Sequence, residues 1–96
     1  MFSWITKQAV RHTDGFIVKS GGRFSMVYVE GGKVMTIGVD NGRLPNGKYC
    51  IEIGPGSFLH WDGEQVILPS SEQSRIEKNF VEAIRFQGLE VVKMAI

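Results

Sequence analysis

The sequence predicts an α+β domain: an antiparallel-rich sheet of about five to seven strands, one long C-terminal helix packed on one face, and a final strand. Three observations carry this. Short β-rich runs separated by glycine pairs fill the first half of the chain, and apolar residues alternate within them. The pattern switches to a helical period only after Pro69. Ninety-six residues make one domain, 1–96, and a hydrophobic share of 43% with 22% charged residues is globular rather than disordered.

Within residues 1–13, FSWITKQAV reads as strand, because Trp4, Ile5 and Thr6 favour extended backbone. FIVK (16–19) follows, bounded by Asp14-Gly15 and Gly21-Gly22. FSMVYVE (24–30) and KVMTIGVD (33–40) flank Gly31-Gly32 and predict a tight hairpin whose turn residues both take positive φ. Asp40-Asn41-Gly42 and Asn46-Gly47, with Pro45 between them, predict a turn region before KYCIEI (48–53). Met35, Ile37 and Val39 share one face of their strand, as do Tyr49, Ile51 and Ile53 of theirs. Such alternation describes a sheet wetted on one side, with Glu52 on the wet face and Cys50 beside it half-exposed or covered by a neighbour. VIL (66–68) suits one more edge strand.

The helix is predicted over about 71–87. Ser70 and Gln73 have the spacing of a capping box. Ile76, Phe80, Ala83 and Ile84 form an apolar stripe, opposite Arg75, Lys78, Glu82 and Arg85. Gly88 stands where a helix-ending glycine belongs, and LEVVKMAI (89–96) reads as the last strand.

The net charge of +1 hides an asymmetry. Residues 1–48 carry seven Lys/Arg against three Asp/Glu (+4), and residues 49–96 carry four against seven (−3). From Tyr49 to Ser74 there is no basic residue, while Glu52, Asp62, Glu64 and Glu72 lie there, so this segment can steer a basic partner. Cys50 is the only cysteine, which excludes an internal disulfide and a cysteine-based metal site. MFSWITKQAVRH lacks the apolar run of a signal peptide, and no stretch approaches a membrane span. The expectation is a cytoplasmic protein without a membrane partner.

GPGSFLHWDGE (54–64) is the least regular stretch and the one that looks like a site. Cys50, His60 and Asp62 contain the residue types of a nucleophilic triad, but their spacing does not bring them within reach, and Cys50 sits mid-strand. Ser57 lacks the spacing of a nucleophile elbow and reads as a turn serine. His12 and His60, the two histidines, have no metal-ligand spacing. No catalytic residue, cofactor or metal is therefore expected. Lys7, Arg11, Lys19, Arg23 and Lys33 are scattered through the N-terminal half, near Phe24 and Tyr28, without an RNA-recognition signature. No direct nucleic-acid partner is expected from them, and a small nucleic-acid binder or a generic interaction module is the alternative reading. Trp61 admits two roles: a plug for the sheet–helix core or an anchor for a partner.

The order YCIEI, Ser57, His60-Trp61, VILPSSEQ and RIEKNFVEAIRFQGLEVVKM resembles small α+β immunity proteins of bacterial polymorphic-toxin and contact-dependent growth inhibition systems. In one such group an isoleucine, a serine and a tryptophan precede an apolar position and a helix that ends in glycine before a last strand. The resemblance covers about residues 48–94; where that group has Trp-Pro-Pro, this chain has Trp61-Asp62-Gly63. It implies a cytoplasmic protein that is not an enzyme and needs no cofactor. Such a protein binds and neutralises a cognate toxin domain, often a nuclease, by stoichiometric protein–protein interaction. Glu52, His60, Trp61, Asp62 and Glu64 would then face the toxin. Open strand edges leave a homodimer possible.

Overall fold

The computed structural model describes residues 1–93; residues 94–96, the end of the predicted last strand, lie outside the described residues. Among the described residues the chain folds into one seven-stranded sheet and one helix. The strands are β1 (Phe2–Thr6), β2 (Ala9–His12), β3 (Phe16–Gly22), β4 (Ser25–Glu30), β5 (Lys33–Arg43), β6 (Tyr49–Ile53) and β7 (Glu90–Lys93), with α1 (Ser70–Phe86) before β7. Spatial order follows chain order. Every neighbouring pair is antiparallel except β6 and β7, which are parallel because α1 carries the chain back between them.

The hairpin predicted at Gly31-Gly32 joins β4 to β5, with Glu30 opposite Lys33. Both glycines have positive φ, 59° and 78°. An alanine at Gly32 is expected to cost about 1 kcal/mol, whereas asparagine at Gly31 leaves the thermal melting curve nearly unchanged, since asparagine tolerates this conformation.

β5 corrects the turn expected at Asp40-Asn41-Gly42. It runs on to Arg43 because its two halves have different partners. Residues 33–38 pair with β4, and Val39–Arg43 pair with β6. The ladder to β6 overrides the local turn signal, and the turn is confined to residues 44–48. This arrangement leaves the β6-side edge of the first half of β5 without a strand neighbour, and the loop of residues 54–69 fills it.

The helix begins at Ser70, with Pro69 as its N-cap and no side-chain cap bond. Ser70 is thus inside the first turn, so the predicted capping box does not form. Gln73 instead donates from Nε2 to the Leu68 carbonyl at 2.8 Å and ties the helix to the incoming loop. At the other end Gly88 (φ 88°) plays its predicted part. Its N–H reaches the Arg85 carbonyl and the Leu89 N–H reaches that of Ile84, the two bonds of a Schellman motif.

The predicted stripe of Ile76, Phe80, Ala83 and Ile84 is fully buried against Val10, Val18, Met35, Ile37, Ile51 and Ile53 of the sheet. Beside it runs a chain of aromatic rings. Phe86 stacks on Phe2 (centroids 5.3 Å apart), Phe2 meets Phe16 edge-on (5.7 Å), Phe16 stacks on Tyr28 (5.5 Å) and Tyr28 on Trp61 (6.1 Å). Such pairs contribute roughly 0.5–1.5 kcal/mol each beyond area burial. They link the N-terminal strand, the middle of the sheet and the loop into one core.

The Tyr28 hydroxyl is the polar exception within this core. It donates to Glu30 Oε1 (2.5 Å) and accepts from Asn79 Nδ2 (3.0 Å), while Arg75 holds Glu30 through both carboxylate oxygens. Burial first, and the Glu30 hydrogen bond second, push the phenol well above its ordinary pKa, so it stays a donor at any physiological pH. Tyr28→Phe removes that donor and leaves Asn79 short of an acceptor. Urea denaturation is expected to show a loss of about 1–2 kcal/mol.

Candidate functional site

Residues 54–69 connect β6 to α1, and among them Phe58 and Trp61 enter the core. Trp61 is 7% exposed and packs face-on to Tyr28, and Phe58 lies edge-on to Phe80 (5.6 Å). Of its two possible roles, Trp61 therefore takes the core one. Phe58 was not singled out in the sequence, although it stands three positions before Trp61 and enters the same core.

Asp62 fixes the loop from the other side. Its N–H donates to the Val34 carbonyl (2.8 Å), and its carboxylate accepts from the Thr36 N–H (3.0 Å) and the Thr36 hydroxyl (2.6 Å). Three bonds thus replace the missing neighbour strand along the open edge of β5, a site that would otherwise template pairing with another chain. The Thr36 hydroxyl, and next its backbone N–H, hold the Asp62 carboxyl below its ordinary value of 3.8.

A depressed folded pKa stabilises the fold while the group is ionised, so the contribution is complete at neutral pH. It is lost as pH falls below about 3.8 and through the folded-state pKa. Asp62→Ala is expected to cost about 1 kcal/mol at pH 7, the low end for a charge-assisted bond because the carboxylate is exposed. The difference from the parent protein narrows at pH 3. Parallel urea titrations at the two pH values measure this, and a gap that stays constant refutes the clasp.

The remaining loop residues are held by their neighbours. Ser57 Oγ donates to the Gly54 carbonyl (2.6 Å), the bond of a turn serine. His60 Nδ1 lies 3.0 Å from the Trp61 carbonyl, and Glu64 pairs with Lys33 across the loop (3.3 Å). The expected strand at 66–68 is absent. Leu68 makes a single backbone bond to Leu59 (2.8 Å), and residues 64–69 form no ladder, because Asp62 already occupies the β5 edge. As a result Val66 (73% exposed) and Ile67 (64%) project into solvent, with Leu59 exposed beside them. These three were missed as site residues: an apolar run next to a sheet reads as strand, and only the structure shows the edge taken.

Not all of the anticipated surface comes together. His60, Asp62 and Glu64 share the outer side of the loop. Glu52 lies opposite Asp40, four residues along β5 from Thr36, or about 13 Å. It also points away from the helix, since Ile51 and Ile53 on either side of it point in. Cys50 is farther still, opposite Gly42 and about 20 Å along β5 from Thr36. It is 4% exposed. Cys50, His60 and Asp62 therefore do not form a nucleophilic group. Among the described residues no cluster of three or more His, Cys, Asp or Glu is placed to hold a metal ion, and no helix is long and apolar enough to cross a membrane.

A cleft of about 330 Å³ lies between the loop and the start of α1, lined by Ser57, Phe58, Ser70, Gln73 and Ser74. Its rim carries the Glu77–Lys93 ion pair (3.0 Å). No family model, curated protein or solved structure matches the chain.

Proposed function

We propose that this chain is a cytoplasmic immunity protein, which neutralises a cognate bacterial toxin domain of the nuclease class by binding it, without catalysis or cofactor. The observation that carries this reading is the state of residues 54–69. The loop is held by Trp61 in the core, by Asp62 on the sheet edge and by the Leu68–Leu59 backbone bond, and it still leaves Leu59, Val66 and Ile67 in water. An ordered loop with bare aliphatic side chains is prepared to bind a protein, because little conformational freedom is lost when the partner covers it.

The charge around the patch suits a basic partner. His60, Asp62 and Glu64 belong to the same loop, and the segment from Tyr49 to Ser74 supplies no cation of its own; Lys33 of β5 pairs with Glu64 there (3.3 Å). The contact set differs from the one expected from sequence: Leu59, Val66 and Ile67 provide apolar area in place of Trp61, and Glu52 lies outside it. Acids of this loop raise the association rate, and the buried aliphatic groups set the lifetime of the complex.

Growth rescue tests the reading. A toxic domain encoded beside this protein is co-expressed with and without it, and the expected result is restored growth together with a stable one-to-one complex on gel filtration. Toxicity that persists despite soluble expression overturns the proposal. Within such a complex, Glu64→Lys slows association by about threefold to tenfold at low salt and leaves dissociation nearly unchanged, as stopped-flow mixing reads.

A further inference from the structure

The cations that look scattered in the sequence are gathered by the topology. Alternating strand directions place the β1–β2 turn, the β3–β4 turn, the β5–β6 turn and the C-terminal end of α1 at one end of the sheet, opposite the loop described above. That end carries Lys7, Arg23, Arg43, Lys48 and Arg85. Among its carboxylates, Glu90 lies 3.9 Å from Lys48 and 3.6 Å from Arg85, and exposed Glu82 is one turn before Arg85 on α1. Lys7, Arg23 and Arg43 have no ion-pair partner among the described residues. The nearest other acids on these strands, Asp40 and Glu52, are on the helix-free face.

Two of these arginines sit on exposed aromatic rings. The Arg43 guanidinium lies 4.7 Å from the Tyr49 ring centroid and donates to the Tyr49 hydroxyl at 2.7 Å. The Arg23 guanidinium lies 5.3 Å from the Phe24 centroid. Tyr49 is 60% exposed and Phe24 57%, so both rings are open to a stacking partner. At the same end of the sheet a groove of about 290 Å³ is lined by Lys7, Arg23, Ser20, Asn41 and Gln87. The buried Nε2 of Gln87 has no hydrogen-bond partner there. A donor without an acceptor in a cationic groove is suited to an anionic oxygen.

We infer that this end of the sheet binds single-stranded nucleic acid, with Lys7, Arg23 and Arg43 on phosphates and Phe24 and Tyr49 stacking bases. The four strand spacings from the β1–β2 turn to the β5–β6 turn span about 19 Å, enough for a few nucleotides. Unpaired cations alone would suit any polyanion; exposed rings beside them favour one that carries flat bases. A duplex hides its bases and offers these rings nothing to stack on. The site goes beyond the toxin-binding reading, lies at the opposite end of the molecule, and replaces the expectation that the chain has no nucleic-acid partner.

Fluorescence anisotropy with the full chain tests it, using fluorescein-labelled oligouridylate and oligothymidylate, a duplex of equal length, and a polyglutamate peptide as the acidic protein surrogate. At about 50 mM salt the single strands are expected to bind saturably. Log affinity should fall with log salt at a slope of about −2 to −3, the value for three or four neutralised phosphates. Tyr49→Ala and Phe24→Ala each weaken binding at least about fivefold, whereas Tyr49→Phe retains it. Arg23→Glu with Arg43→Glu weakens it more than about tenfold, and Lys78→Gln, a cation on the exposed side of α1 away from that end, changes it less than about twofold. Circular dichroism confirms that each variant is folded, which these exposed positions at strand ends and turns permit. Failure of the single strands to bind, equal affinity for the duplex, tighter binding of polyglutamate, or indifference to the folded aromatic and arginine variants each overturns the assignment.

Discussion

Trp61→Ala should lower the stability of the domain by about 3–5 kcal/mol, the range for deleting a large buried aromatic. For a domain of this size that is a drop of roughly 12–40 °C in melting temperature. The expectation follows from position: Trp61 is the last ring of the chain Phe86–Phe2–Phe16–Tyr28–Trp61, and it closes the core on the side where β5 has no strand neighbour. Its loss opens a cavity beneath the loop and also frees the segment that Asp62 pins to the edge. His60→Ala, one residue away and exposed, should change stability by less than about 0.5 kcal/mol. Urea unfolding of the two variants beside Trp61→Phe provides the comparison, with phenylalanine falling between. A loss below about 1 kcal/mol for the alanine variant would show that Trp61 does not hold the core and would return it to the partner-facing surface.

The contrast between Trp61 and its neighbours explains what the sequence could and could not disclose. Periodic elements were legible because burial repeats along them: the stripe at Ile76, Phe80, Ala83 and Ile84 and the alternation of Met35, Ile37 and Val39 both face the core as expected. The Gly31-Gly32 hairpin and the end of α1 at Gly88 were legible because few residues other than glycine suit their backbone. Failures came where a distant segment decides. Asp40-Asn41-Gly42 reads as a turn until β6 pairs with it, and Val66-Ile67-Leu68 reads as a strand until Asp62 takes the edge it would need. The cationic end is the same kind of case. Lys7, Arg23 and Arg43 are far apart in the chain, and only strand alternation puts them at one end of the sheet.

Removing the two bare aliphatic side chains of the loop, in Val66→Ser combined with Ile67→Ser, is the sharpest test of the proposed binding patch. In the free protein these side chains make no core contact, so the thermal melt should shift by no more than the equivalent of about 0.5 kcal/mol. In the proposed toxin complex the same change should weaken binding by about 100-fold, since covering one such side chain contributes roughly 1.5–3 kcal/mol and partial cover of the pair gives less than the sum. The effect should appear in the dissociation rate, because no charge is altered and the encounter is unchanged. Glu64→Lys should act oppositely, on association alone and with a dependence on salt. Calorimetry with stopped-flow kinetics on both variants separates the two contributions. If the double serine variant keeps parent affinity, the loop tip is not the contact, and the partner must be sought on another face of the sheet.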